Sequence, residues 1–398
     1  MISRADKKIF ATLFFSVFSA VMGVGIVVPL IPIYAQSLGA SGLYIGLVFA
    51  SFSLSRSFLL PLFGKLSDRT GRKPYIFVGL FGYTLVSAGF IFSDSVSSLI
   101  LIRFFQGISS AMVVPVVQAY VGDITPVNRE GMMMGMFNMS MFTSLSIGPL
   151  AGGLISDALG MKAAFLSMGV LSLIGALMSL LFLPPLREEP IARRKGETPA
   201  AWGVLLRDVS LYGIFTLRLS YVFCIGVIWC FLPLLSRDFG LSTAAIGFLI
   251  MLGVFMSGLL QIPMGRVADR VDKRKMAVLG GVIVAVDIVT YQWAHGFWGL
   301  FAASVVFGLG GGIVMPPLMA MAVIKGGQNR AMGSVMSLLT LAHSLGMLLG
   351  ALSAGILMDL FDIGRGFQLA GVFMLAGTVV FAVCLAPRKT AAPSLDES

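Results

Sequence analysis

Five ionisable side chains lie inside long apolar runs of this 398-residue chain: Arg56, Arg103, Arg218, Asp287 and His343. An ionisable group in hydrocarbon is expensive, and by default it marks function. A buried carboxyl such as Asp287, or a histidine titrating near neutrality such as His343, can carry a proton. Arg103 cannot release its proton at ordinary pH, so its part would be electrostatic, for example holding a carboxylate deprotonated. Arg56 and Arg218 lie about two turns from one end of their runs, close enough to snorkel. Other chemistry is hard to build here. Cys224, Cys230 and Cys384 all fall in apolar runs with no metal-ligand spacing, and the only histidines are His295 and His343. The run FGLGGG, Phe307–Gly312, lacks the strand–turn–helix context of a phosphate loop. No nucleophile–base pair is apparent, so neither an enzyme nor a metal nor a cofactor is expected.

The elements that must hold these groups follow from composition. Hydrophobic residues make up 57% of the chain and charged residues only 12%, against about 25% charged in a soluble domain. Apolar stretches of about 20 residues recur throughout, each long enough to cross a bilayer. Twelve can be placed: Phe10–Ile33, Gly42–Phe63, Pro74–Phe92, Ser97–Val121, Met132–Ser156, Ala163–Leu183, Leu211–Ser236, Thr243–Met264, Met276–Ala294, Phe297–Val323, Met332–Met358 and Phe367–Ala386. The first follows Arg4, Lys7 and Lys8 as a signal peptide would. It runs on to Pro32 without a small-residue cleavage site and is therefore taken as a span. The chain is expected to be an all-α integral membrane protein. A polar connector, residues 185–209, would divide an N-terminal six-helix bundle (1–184) from a C-terminal one (210–398).

The net charge of +10 would point to nucleic acid in a soluble protein. Here it reflects topology. Of the 28 Lys and Arg, 22 fall at the termini, in the connector and in the loops after even-numbered spans, whereas the other face holds only Lys162, Arg237 and Arg365. The positive-inside rule makes the first face, with both termini, cytoplasmic in a plasma or bacterial inner membrane. No nucleic-acid partner is expected.

The densest charge lies in GKLSDRTGRK, Gly64–Lys73, read as a tight loop between the second and third spans. A second copy, GRVADRVDKRK, spans Gly265–Lys275, with Gly64, Asp68 and Arg69 matching Gly265, Asp269 and Arg270. The same offset of 201 residues pairs Pro32 with Pro233, Gly39 with Gly240, Gly46 with Gly247, Gly107 with Gly308 and Pro115 with Pro316. One residue further on, Gly148, Gly153 and Asp157 match Gly350, Gly355 and Asp359. Equivalent helices are six spans apart, so the halves are parallel repeats about an axis along the membrane normal. Transporters built this way bind substrate between the halves near the midplane.

With these motifs assembled, the sequence resembles the major facilitator superfamily over essentially its whole length. Gly64, Leu66, Asp68, Arg69, Gly71, Arg72 and Lys73 match that family's loop between helices 2 and 3. Arg103–Ala111, RFFQGISSA, resembles its helix 4 motif, and Gly148–Gly153, GPLAGG, resembles the core of its helix 5 antiporter motif. Gly135 fits the first glycine of that motif, while Ser144 stands where the second belongs. The combination looks most like the twelve-helix drug:proton antiporter branch. The resemblance puts the N-terminal end of helix 11 near Asp68, where a carboxylate meets the positive end of a helix dipole. Asp68, Arg69, Arg72 and Asp123 would then form a latch; a solvated topogenic loop is the plainer alternative. Gly135, Gly148, Gly152 and Gly153 let helices approach closely, and Pro149 bends its helix.

The resemblance also implicates Arg103 in proton coupling, with pairing to carbonyls of helix 1 as its structural alternative, and puts helix 9 at the periphery. It places a cavity between helices 1, 4, 7 and 10, for which Tyr34, Gln106, Gln118, Tyr221, Trp229, Met315 and Met319 are the candidate lining. The first span carries no acidic residue, and three arginines face one aspartate within the spans, which leaves room for neutral or anionic substrates. The expected function is proton-coupled export of small amphiphilic molecules by a functional monomer in a lipid bilayer. Metabolite uptake or exchange, and a non-transporting receptor, are the alternatives.

Overall fold

The computed structural model describes residues 4–124, 130–184, 208–328 and 332–386. The remaining residues, including nearly all of the expected connector, lie outside this description. Within it the regular elements are helical, and twelve helices are long and apolar enough to span a membrane.

They are α1 (Arg4–Val27), α2 (Gly42–Thr70), α3 (Lys73–Phe92), α4 (Val96–Ile124), α5 (Glu130–Leu159), α6 (Met161–Phe182), α7 (Val209–Asp238), α8 (Thr243–Arg270), α9 (Lys273–Thr290), α10 (Gly296–Gln328), α11 (Met332–Leu360) and α12 (Ile363–Cys384). α1 is followed by a short helix, Leu30–Ser37. The first expected span is thus broken in two, at Val28–Pro29, because proline supplies no backbone donor to continue the ladder.

The charged turn differs from the expected loop. Residues Gly64–Thr70 continue α2 beyond its apolar part, and the chain reverses only at Gly71, whose φ of +91° a side chain would disfavour, and Arg72. Likewise α8 continues to Arg270 and reverses at Val271–Asp272, where the Asp272 carboxylate accepts from the N–H groups of Arg274 and Lys275 and caps α9. Helices can extend past the hydrocarbon because water satisfies charged side chains there. Apolar length alone therefore places these ends about two turns short.

Within the first six helices, α1 packs on α5 and α6, α2 on α4, and α3 on α4 and α6. The second six repeat the pattern, with α7 on α11 and α12, α8 on α10, and α9 on α10 and α12. The two sets meet chiefly through α5 against α8 and α2 against α11. At the ends of α7 and of the short helix, equivalent glycines, Gly39 and Gly240, adopt φ of +82° and +70° and reverse the chain alike.

Candidate transport site and gate

The contacts between halves are backbone on backbone, and glycines make them. A Cβ built on Gly247 of α8 would lie 2.1 Å from the Pro149 carbonyl oxygen of α5, and one on Gly153 of α5 would lie 2.2 Å from the Thr243 oxygen. Symmetrically, a Cβ on Gly46 of α2 would lie 2.6 Å from the Ala351 oxygen of α11, and one on Gly355 would lie 2.3 Å from the Gly42 oxygen. The GPLAGG motif also faces α1 within its own half: a Cβ on Gly152 would come 2.3 Å from the Ile26 oxygen, and Gly148 is packed against Gly25. One helix thereby holds two neighbours at close range.

At the face away from the basic loops, each of these contacts ends in a carboxylate. Asp157, at the end of α5, accepts from the N–H groups of Thr243 (3.0 Å) and Ala244 (2.8 Å), and also from the Thr243 hydroxyl. Ser242 Oγ takes the next N–H, that of Ala245. Asp359, at the end of α11, accepts from the N–H groups of Gly42 (2.6 Å) and Leu43 (2.8 Å). The first N–H groups of a helix have no partner within it, and the helix dipole favours negative charge there. Each half thus caps a helix of the other. Toward the basic face, Gly64 and Gly265 have open space where a side chain would begin, and Phe58, Leu62, Leu259 and Ile262 are exposed.

The ionisable groups fall into three places rather than one. Arg103 of α4 is buried. It donates through Nη1 to Gln106 Oε1 at 2.7 Å and through Nε to the Val48 carbonyl of α2 at 3.3 Å, and its guanidinium lies 5.0 Å and 4.5 Å from the rings of Phe49 and Phe52. The expected carbonyl partner on helix 1 is therefore supplied by α2, and among the described residues no carboxylate meets Arg103. Asp287 of α9 is buried at the floor of an apolar groove of about 640 Å³ between α9 and α10, with Oδ2 unpartnered. Its place in the outer groove agrees with a peripheral α9. His343 of α11 shares a hydrogen bond with Arg218 of α7, Nδ1 to Nη2 at 3.3 Å, and lies within electrostatic reach of Arg56 of α2. Arg218 also donates to Met315 Sδ of α10 at 3.0 Å. Arg218 is turned to His343 and Met315 rather than to the membrane face, whereas Arg56 is half-buried on α2, and the buried Nε of each lacks a partner.

The expected cavity residues divide similarly. Tyr34 donates its hydroxyl to the Ser93 carbonyl and packs on Phe165, at the closed face. Gln106 is committed to Arg103 and to Met168 Sδ at 3.8 Å. Tyr221 is buried and stacked on Phe307, Trp229 is partly buried, Met315 touches Arg218, and Gln118 and Met319 are exposed. Of the expected latch, Arg69, Asp269 and Arg270 are exposed and Arg72 is buried. The side chains of Asp68 and Asp123 lie outside the described residues, and Gly135 is described only as part of α5. Sequence reasoning missed Asp157 and Asp359 as functional groups, and the inward contacts of Arg218. For the aspartates the available signal was their equivalence in the two repeats.

Known proteins resemble this chain in sequence or fold. An MFS-type transporter of Methanocaldococcus jannaschii, MJ1560, is 29% identical over 381 residues, spanning 95% of this chain and 98% of that protein. The quinolone resistance protein NorA of Staphylococcus aureus is 26% identical over 388 residues, spanning 95% and 96%. Among solved structures, the nucleoside transporter NupG matches with a TM-score of 0.78 at 14% identity, over 95% of this chain and 100% of that one. The model of the Major Facilitator Superfamily fits residues 13–229 and then fits again over 214–398. The duplication visible in the glycines, the reciprocal caps and the family match therefore coincide: this chain is a multi-pass membrane transporter belonging to the Major Facilitator Superfamily.

Proposed function

We propose that this transporter exports small amphiphilic molecules by alternating access, coupled to proton entry, with its basic face and both termini in the cytoplasm of a cell whose plasma membrane it spans. The observation that carries this reading is the gate: two symmetry-related caps and glycine contacts join the halves at one face, while near the other Gly64 and Gly265 of the same helices have open space around them. NorA, a drug-resistance protein by name, favours efflux over uptake. The 22-to-3 distribution of Lys and Arg favours the orientation.

His343 lies where helices of opposite halves meet, hydrogen-bonded to Arg218, so a change in its hydrogen bonding bears on the packing of α11 against its neighbours. Asp287 is the candidate proton carrier, acting within the C-terminal half, and Arg103 tunes the N-terminal half through α2. The basic-face turn, with Asp68, Arg69, Arg72 and Asp123 and its copy at Asp269 and Arg270, serves as the latch of the opposite state.

Flux of a panel of fluorescent amphiphiles into proteoliposomes under an imposed pH gradient tests the reading. Accumulation against the substrate gradient should collapse when the pH gradient is dissipated. It should also fall in Asp287→Asn, with substrate binding retained. Accumulation that ignores the pH gradient would overturn proton coupling.

A further inference from the structure

The geometry points to Arg56, Arg218 and His343 as a clamp for the negatively charged head of the substrate, a carboxylate, phosphate or sulfonate on an apolar body. This inference rests on the exporter reading above and narrows the class of molecule carried. Arg56 comes from the N-terminal half, while Arg218 and His343 come from the C-terminal half, so the three straddle the boundary that an alternating-access transporter must open and close.

The contrast with Arg103 carries the argument. Arg103 has its acceptors built in: a glutamine oxygen, a backbone carbonyl and two aromatic faces. Arg56 has no hydrogen-bond partner among the described residues, and its Nε is buried. Arg218 touches only a thioether sulfur and an imidazole nitrogen, both poor substitutes for a carboxylate, and its Nε is likewise buried and unpartnered. Among the described residues no acidic side chain reaches this cluster. Asp287 faces the groove between α9 and α10, Asp157 and Asp359 cap helices at the closed face, and Asp269 and Asp272 sit at the end of α8. Both arginines are half-buried, with each Nε shut off from solvent and unpartnered, so each guanidinium keeps an unmet donor that an anion can take. A planar guanidinium fork matches carboxylate, phosphate and sulfonate oxygens. The surroundings suit an apolar body: Met315 lies against Arg218, exposed Met319 lies one helical turn along α10 from it, and Tyr221 lies one turn along α7 from Arg218.

Two xanthene dyes of similar shape and opposite charge, dianionic fluorescein and cationic rhodamine 6G, test the clamp by fluorescence anisotropy on the full-length protein in nanodiscs. Fluorescein should bind more tightly than rhodamine 6G. Arg56→Gln and Arg218→Gln should each weaken fluorescein by about 10- to 100-fold, the loss of a charged hydrogen bond, without weakening rhodamine 6G. Arg218→Lys should recover part of the fluorescein affinity, and Arg365→Gln, an exposed site on the closed face, should change neither dye. If one Gln variant is too unstable to assay, the other, from the opposite half, decides. Tighter binding of rhodamine 6G by the unmodified protein, or unchanged fluorescein binding in the Gln variants, would overturn the clamp. Flux separates the two readings. Rhodamine 6G driven by a pH gradient without fluorescein binding removes the clamp and leaves the exporter, whereas fluorescein preference without gradient-driven flux does the reverse.

Discussion

Removing the two capping carboxylates should release the closed face, and the structure sets the size of the effect. Asp157 and Asp359 each satisfy two backbone N–H groups at the start of a helix in the other half. A capping side chain contributes about 0.5–2 kcal/mol, and a favourable charge at a helix terminus about 0.3–1 kcal/mol. Both carboxylates are exposed, so screening favours the lower values, about 1 kcal/mol per site and about 2 kcal/mol together. Because the contacts exist only while this face is closed, the whole amount acts on the equilibrium between states. The Asp157→Ala, Asp359→Ala double variant should therefore shift the closed-to-open ratio about 30-fold, and each single variant about fivefold. Asparagine caps nearly as well as aspartate, so the Asn variants should shift it less; this separates hydrogen bonding from charge. Spin labels at Ser95 and His295, one in each half on this face, report the ratio by pulsed dipolar spectroscopy after Cys224, Cys230 and Cys384 are replaced. Gly247→Leu supplies an independent perturbation, since even a Cβ there would meet the Pro149 oxygen at 2.1 Å. It should populate the long-distance state outright. A double-alanine distance distribution within twofold of the parent would refute the reasoning.

The remaining predictions concern the basic face. Asp208 caps α7, accepting from Ser210 N–H at 2.8 Å, and pairs with Lys325 of α10 at 3.0 Å. Burial pushes its carboxyl up, but the Lys325 ammonium and the helix N–H groups outweigh this and hold it below the usual 3.8. A lowered carboxyl contributes stability above its unfolded value and loses that contribution as pH falls through the folded value. The midpoint of thermal unfolding should thus drop more steeply below pH 4 in the parent than in Asp208→Asn, and equal slopes would exclude the contribution. For orientation, a cysteine at Ser95 should react with an impermeant maleimide from outside intact cells and one at Gly196 should not; the reverse would invert the topology.

The twelve spans, their pairing by repeat and the duplicated turn were legible in the sequence, because hydrocarbon thickness fixes helix length and glycine records close approach. Helix ends at the basic face were not, since charged residues such as Lys65 and Arg69 extend a helix into water as readily as they end it. Nor was the facing of Arg218. A membrane helix apolar on every side carries no 3.6-residue stripe to show which way a residue points, so depth alone favoured snorkelling. Asp157 and Asp359 were visible only as a repeated pair. Their partners are backbone N–H groups 86 and 317 residues away, and a backbone donor has no side-chain identity to read.

The duplication explains why the gate has two equal parts. When a six-helix unit is copied, a contact between the end of its fifth helix and the start of the copy's second is accompanied by the reciprocal contact, copy to original. Asp157 on α8 and Asp359 on α2 are that pair. The same logic applies to the turns at Gly64–Lys73 and Gly265–Lys275, which occupy the other ends of α2 and α8. The helices capped at one face therefore carry the charged turns at the other. On the proposed alternating access, rocking of the halves that frees the starts of α2 and α8 would bring their far ends toward α11 and α5, so the caps and the turns would not both be engaged. Exclusive engagement at opposite ends of the same two helices is the condition alternating access imposes, and one duplicated unit suffices to meet it.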